Sequence, residues 1–464
     1  MKLYRKIYNR SPIIIQNFMT SVYGYKIHNL RYGGKFQNYY DFLEESQWFA
    51  TEKLYDLRMT KLKDLLTHAY QQTKYYREIF DEAGFNPRNF TEMTDLKNLP
   101  ILTKEDIINN CERMVAGNYR DERLIKHFTS GTTGTPMMFY LTKDVYRCNY
   151  AHWMRFREWF GFERWAPRAT ISGRIVVPRS QNKPPFWRYN VVENQTVFSS
   201  FHISEENLPY YIEKLRKSSF TLIDGYVSSI YAIARYLNKL KIDTVRPLAV
   251  QTTSETLLKS QRREIEKAFG CKVYDQYGHG ECAVFVCECE KGRMHINDEY
   301  GIVEILKEGK PVGTGESGEI VVTGLVNWAM PFIRYRTGDI GVKGDDKQCE
   351  CGRGLSLLEA VEGRVVDTLK MPDGKIIPPV TLKILFDKAE NIGIKESQII
   401  QISANKVVVN LVLDDDEKDL NPLLSDLRSV MGDEIEIKFN RMNSIPRTET
   451  GKFRFVISNI AHHI

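Results

Sequence analysis

Leu54, Leu57, Leu62, Leu65, Leu66 and Ala69 recur at the three- and four-residue spacing of one helix face. The pattern predicts a long amphipathic helix over 51–83, stopped by Gly84. From about residue 123 the texture changes to short apolar runs set between glycines. Residues 205–219 and 255–269 read as helices, and VYDQYG (273–278) and GIVEIL (301–306) as strands. This alternation predicts an α/β core. Near 363–375 the chain turns to GRVVDTLKMPDGK, rich in charge, Gly and Pro. Beyond it QIIQIS and KVVVNLVL read as a strand pair, 421–431 as a helix and EIEIKF as a further strand. That is a compact α+β unit. The boundary falls around 366, so a large domain (1–366) is expected to precede a small one (367–464).

A chain of 464 residues can bury a large core and a second, smaller one. Eight cysteines are few for this length, which disfavours a disulfide scaffold and fits a reducing cytoplasm. No apolar run reaches the roughly 18 residues of a membrane span. The apolar run near the start is broken by Gln16 and Asn17 and no small-residue cleavage site follows, so no signal peptide is expected. The net charge of +6 is unevenly spread. Lys2, Arg5, Lys6, Arg10, Lys26, Arg31 and Lys35 fall in the first forty residues, which hold no acid. Two readings are open: a solvated extension, or a patch for an anionic partner or a membrane surface. No patterned nucleic-acid motif supports DNA or RNA as that partner.

Candidate chemistry begins at Thr129-Ser130-Gly131-Thr132-Thr133-Gly134-Thr135-Pro136. Its glycines let the backbone approach a ligand with free N–H groups, and its hydroxyls donate well to phosphate oxygens. No Gly-Lys-Ser/Thr follows, so this is not a Walker A loop. The flanks LIKHF and MMFYLT are strand-like, and a loop between two strands is expected. Downstream come Tyr277-Gly278-His279-Gly280-Glu281, Tyr335-Arg336-Thr337-Gly338-Asp339, Gly363-Arg364 and Pro446-Arg447-Thr448-Glu449-Thr450-Gly451-Lys452.

In that order these motifs resemble the adenylate-forming superfamily of acyl-CoA synthetases, adenylation domains and luciferases. The likeness is greater to the phenylacetate–CoA ligase branch and its capsule-biosynthesis relatives, and it runs through THAYQQTKYYREIFDEAGFNP, LPILTKEDI and CGRGL. The resemblance implies a large multi-subdomain N-terminal domain with a small mobile C-terminal lid. It implies ATP and Mg²⁺ as cofactors, a carboxylate substrate, and coenzyme A as acceptor. The alternatives are direct transfer to an amine or hydroxyl of a sugar or cofactor, and a degenerate non-catalytic nucleotide binder. Residue by residue, the likeness makes 129–134 the β,γ-phosphate loop and Glu281 the Mg²⁺ ligand. Tyr277, with Gly278, would flank adenine, and Ser254 and Glu255 would form a turn beside it. Asp339 and Arg364 would hold the ribose, and Lys452 would bridge carboxylate and α-phosphate. The family commonly has Thr or Ser before the glutamate; here Gly280 leaves α-phosphate stabilisation to His279 or the backbone. Its usual hinge aspartate is Val366, with an acid following at Asp367. Asp224-Gly225-Tyr226 and Ser254 are candidates for the acyl pocket, and His202 is expected to be structural.

Six cysteines lie in 271–351. Cys289, His295, Cys349 and Cys351, with Cys287 as a substitute, suggest a structural tetrahedral Zn²⁺ in a metal-binding insertion within 282–351.

Overall fold

The computed structural model describes residues 2–129, 137–364, 367–377, 379–388, 392–415, 417–448 and 451–460. Its centre is a thirteen-stranded mixed sheet. Five neighbouring strands are parallel: Gln195–Ser199, Arg168–Ser172, Leu222–Tyr226, Ala249–Thr253 and Val273–Gly278. A parallel sheet is covered on both faces, and strand residues alternate between them. Accordingly Leu222, Ala249 and Tyr274 join one buried cluster with Phe156 of the helix Lys143–Trp159 and Phe160 at its end. Their neighbours Ile223, Val250 and Val273 join a second, with Ile230, Ile233 and Leu237 of Val227–Lys239 and Ile265 and Phe269 of Lys259–Phe269. The remaining strands extend the sheet antiparallel. Val273–Gly278 pairs with Phe285–Glu288, then come Met294–Ile296, Leu357–Arg364, Tyr335–Lys343, Ser317–Gly324 and Gly301–Lys307.

The helix expected over 51–83 is two helices, Thr51–Gln72 and Lys74–Glu82. Thr73 breaks it with extended dihedrals (φ −115°, ψ 142°). Its hydroxyl donates to the Ala69 carbonyl (2.8 Å) and accepts from the Tyr76 N–H (3.1 Å), so one side chain closes one helix and caps the next. Periodicity survives because both pieces face the same core, where Leu62, Leu66, Tyr76 and Phe80 are buried.

Ile125–Phe128 and Met138–Leu141 form a separate antiparallel hairpin, as their flanking pattern predicts. Ser130, Gly131, Thr132, Thr133 and Gly134 of its connection lie outside the described residues, as does Val366. The C-terminal unit is a domain of its own. Its four-stranded sheet runs Glu436–Arg441, Lys406–Leu413, Ile394–Ser403, Val456–Ser458. The helix Asn421–Met431 buries Leu423, Leu427 and Met431 in a cluster with Ile399, Val407, Val409 and Leu411 that draws on no residue before Leu369.

Candidate active site and a cysteine–histidine cluster

In parallel α/β sheets ligands collect outside the carboxyl ends of the strands. Three such ends meet here: Tyr226, Thr253-Ser254-Glu255, and Tyr277-Gly278. The second and third, with Val227 just after Tyr226, border one cleft of about 2830 Å³, whose far wall is formed by residues 443–448 and 452–456 of the C-terminal domain. The volume is well above the ~300–1,000 Å³ of a pocket for one small ligand, so there is room for several reactants.

Asp339 and Arg364 come together through the ladder, which pairs them directly. Arg364 Nε lies 3.3 Å from Asp339 Oδ1, and the Tyr277 hydroxyl donates to Oδ2 at 2.8 Å. The Asp339 N–H is held by Thr337 Oγ1 (3.1 Å), whose own hydroxyl donates to the Ile320 carbonyl (2.9 Å). Glu281 follows the strand that carries Tyr277 and is buried. Its Oε1 accepts from the Tyr335 hydroxyl at 3.3 Å, and His279 Nδ1 stands 3.0 Å from Oε2. Burial pushes the Glu281 carboxyl up, but His279, with a smaller contribution from Arg364, outweighs it and holds the group below its ordinary range. His279 Nε2 is buried with no hydrogen-bond partner among the described residues. Among the described residues a Cβ at Gly280 would meet nothing closer than Phe139 Cζ at 4.0 Å.

Lys452 enters from the C-terminal domain. Its ammonium is 5.9 Å from the centre of the Tyr226 ring. Burial, then the Arg364 charge, lowers its pKa, and Glu255 and Asp339 oppose the shift. The loop before it closes on itself: the Lys452 N–H donates to Thr448 Oγ1 and the Thr448 N–H to the Lys452 carbonyl, both at 3.0 Å. Gly451 sits at φ +79°, where a Cβ would lie 2.8 Å from Ser200 Oγ and 3.1 Å from the Phe201 ring, so only glycine lets this loop approach so closely.

Ser254 takes a left-handed conformation (φ +70°) at a strand end. Glu255 is engaged by protein groups: Oε2 accepts the Ser228 N–H (2.7 Å), and Oε1 accepts the Ser228 hydroxyl (3.1 Å) and the Phe453 N–H (2.7 Å). Its carboxylate therefore ties the strand end to the residue after Lys452. Thr129 is likewise occupied, its Oγ1 accepting the Met137 N–H at 3.0 Å across the hairpin mouth. Asp224 is taken up in a buried ion pair with Arg157 (3.0 Å) and does not line the cleft. His202 is structural: Nδ1 is 2.7 Å from Ser199 Oγ and the ring stacks on Phe186. Asp367 pairs closely with Arg454. Ser228, Tyr335 and Arg454 carry no motif signal for these contacts, because each contact joins distant segments.

The cysteine–histidine set lies on the antiparallel half of the sheet. Cys289 and His295 flank a tight turn in which the Cys289 N–H donates to the Arg293 carbonyl (2.9 Å); Cys349 and Cys351 arrive on a separate loop. The four ligand atoms all lie within 4.8 Å of one another. Cys289 and Cys349 sulfurs are 3.8 Å apart. That is far beyond the ~2.05 Å of a disulfide. It matches the edge of about 3.8 Å that ~2.3 Å zinc–sulfur bonds make in a tetrahedron. His295 Nε2 is 3.3 Å from Cys351 Sγ, while Nδ1 faces the Leu355 carbonyl at 3.2 Å, which orients the ring. Cys289, through its hydrogen bond, and then His295 hold Cys351 far below the usual thiol range; the hydrogen bond with Cys351, then burial, pushes Cys289 up. Cys287 lies outside the set, its sulfur accepting from Asn297 Nδ2 at 3.4 Å.

Comparisons with known proteins agree with this architecture. Residues 369–459 match the family model described as the CapK C-terminal domain. Protein CapK of Staphylococcus aureus is 32% identical over 458 residues, covering 98% of this chain and 99% of that protein. Phenylacetate-coenzyme A ligase of Escherichia coli (strain K12) is 26% identical over 324 residues, 64% of this chain and 69% of that one. Among solved structures, a 2-hydroxyisobutyryl-CoA ligase in the postadenylation state superposes with a TM-score of 0.71 at 18% identity, covering 90% of this chain and 92% of that one. The chain belongs to the CapK family, within the adenylate-forming superfamily of ATP-dependent, AMP-forming ligases.

Proposed function

We propose that the chain activates a carboxylate with ATP and passes the acyl group to coenzyme A. In the first half-reaction a carboxylate oxygen attacks the α-phosphorus, the bond to pyrophosphate breaks, and acyl-AMP forms. In the second, the acceptor's sulfur attacks the acyl carbon and AMP leaves. The single observation that carries this reading is Lys452: a cation from the far end of the chain, buried in the same cleft as Asp339, where Arg364 and Asp339 act on its charge.

Asp339 and Arg364 would hold the ribose, Tyr277 and Gly278 would border the adenine, and Ser254 would shape the strand end beside it. Lys452 would bridge the reacting oxygens, a role suited to a flexible point charge on a separate small domain. His279, whose buried Nε2 has no hydrogen-bond partner among the described residues, is the natural donor to the α-phosphate where Gly280 offers none. Glu281, held below the ordinary carboxylate range, would keep the anionic form that Mg²⁺ prefers; bound there, the ion would neutralise phosphate charge. Cys289, His295, Cys349 and Cys351 would hold a structural Zn²⁺, as their spacing and chemistry allow.

The test is pyrophosphate release over a library of carboxylates, with and without coenzyme A. Release should require a carboxylate and Mg²⁺, and Asp339→Ala should weaken ATP binding by at least about tenfold, since a charge-assisted hydrogen bond contributes ~1.5–3 kcal/mol. Acyl-AMP that accumulates with coenzyme A but is consumed by an amine or sugar hydroxyl would reassign the acceptor. No carboxylate-dependent release from any acid would leave a nucleotide binder.

A further inference from the structure

The helix Ile13–Tyr32 carries an apolar face that no other described part of the protein covers. At 100° per residue, Ile14, Tyr25, Phe18, Val22 and Ile15 fall within an arc of about 100°. They are 82%, 61%, 68%, 54% and 46% exposed. Exposed Tyr189 and Val191 continue the apolar surface onto the sheet edge beside this helix.

The opposite side of the same helix is locked to the core. Gly24 lies so close to Asn190 that a Cβ would sit 2.3 Å from its side chain. The Gln16 amide oxygen accepts from Arg188 Nε (2.6 Å), and its NH₂ donates to the Tyr8 and Ser11 carbonyls at 3.0 and 2.9 Å, fastening the preceding helix as well. Asn17 Oδ1 and Ser21 Oγ accept the N–H groups of Tyr189 (3.0 Å) and Val191 (3.2 Å). At the far end Arg31 pairs with buried Glu193 (3.3 Å), which also holds Arg168 of the central sheet (3.0 Å). The exposed apolar side chains therefore stand on a fixed platform, with the hydrophobic cost of their exposure already incurred.

The charged residues of this helix and the one before it are all basic. Arg5, Lys6 and Arg10 lie exposed on the preceding helix and Lys26 at the edge of the apolar arc, and the first acid of the chain is Asp41. Aliphatic and aromatic side chains in one plane with an acid-free basic flank are the combination that a bilayer interface with anionic headgroups rewards. Nucleic acid would use the cations but leave the isoleucines unsatisfied. Among the described residues no helix is long and apolar enough to cross a membrane. We infer that this face docks the protein on the surface of an anionic phospholipid bilayer. The inference is independent of the acceptor and of the chemistry in the cleft.

The experiment is co-sedimentation of the full chain with vesicles of phosphatidylcholine alone and with added phosphatidylglycerol. Binding is expected only to the anionic vesicles and should fall with added salt as basic contacts are screened. The double substitution Ile14→Asp, Phe18→Asp should weaken it at least tenfold, and Arg5→Gln, Lys6→Gln, Arg10→Gln should weaken it while leaving circular dichroism unchanged, since all these side chains are exposed. Failure to bind anionic vesicles, or binding indifferent to Ile14→Asp, Phe18→Asp, overturns the inference. So does self-association in gel filtration that the same double substitution abolishes, because the face would then belong to a second copy. Equal binding of duplex DNA or RNA, with no loss in the double variant, would assign the cations to nucleic acid instead.

Discussion

The Lys452 ammonium loses hydration in the cleft and gains no fixed carboxylate within ion-pair distance among the described residues; burial and Arg364 lower its pKa in consequence. A cation held this way is stabilised most when negative charge develops beside it, which is the condition for lowering a barrier rather than merely binding a ground state. Lys452→Ala should therefore slow acyl-AMP formation by about 10²–10³, the range seen for removing one transition-state donor. ATP affinity should change little, and transfer from pre-made acyl-AMP should survive. Near wild-type adenylation in single-turnover assays would remove Lys452 from the reaction. Motifs in the sequence single out Lys452, Asp339 and Glu281 as candidates, and the fold sets all three along one cleft. Their surroundings were not legible in the sequence. The Tyr277 hydroxyl reaches Asp339 over 62 residues and the Phe453 N–H reaches Glu255 over 198, and local patterns carry no information about such pairs.

At the scale of elements, periodicity located what local physics decides. The strands Val273–Gly278 and Lys406–Leu413 and the helix Asn421–Met431 fall where alternation and helical spacing put them. The break at Thr73 was missed because a hydroxyl that serves both helices leaves the apolar register intact. Cysteine spacing selected four ligands from six clustered cysteines and a histidine, and the fold brings those four together while turning Cys287 toward Asn297. A metal there would join the turn after Phe285–Glu288 to the loop that carries Arg353. Arg353 in turn pairs with Glu290 (2.8 Å) and lies over the Trp159 ring at 4.2 Å, in the main core. Carefully handled protein should thus carry about one equivalent of zinc. Cys349→Ser should lose it, and with metal-binding energy coupled to folding, a loss of several kcal/mol would lower the melting temperature by ~5 °C or more. Cys287→Ser should keep the metal. Elemental analysis that finds no zinc in the wild type, or an equal loss in both variants, would dismiss the site.

Across the whole molecule, the C-terminal domain has a core of its own, so its placement rests on a few contacts with the large domain. The charge-rich run near 366 suggested a junction in the sequence, but nothing there foretold a thirteen-stranded sheet. Its antiparallel half depends on Leu357–Arg364 pairing with both Met294–Ile296 and Tyr335–Lys343, a nonlocal choice. The contacts between domains are unequal. Lys395–Glu205 is a peripheral ion pair at 3.1 Å between a half-buried lysine and an exposed glutamate, worth at most about 1 kcal/mol. The Phe453 N–H to Glu255 is shorter, adjoins Lys452 and ends on a carboxylate that also caps the first turn of Val227–Lys239 through Ser228. In Glu255→Gln only one side-chain oxygen remains for three donors, so the lid loses a charge-assisted bond of ~1.5–3 kcal/mol where Lys452 must be placed. Adenylation should then slow by about tenfold or more. On the role proposed for Lys452, ATP affinity and transfer from pre-made acyl-AMP should stay near wild type. Lys395→Ala, by contrast, should change adenylation by no more than about fivefold. A fall in ATP affinity as large as the fall in adenylation rate would instead make Glu255 a nucleotide contact, as its place beside Ser254 first suggested.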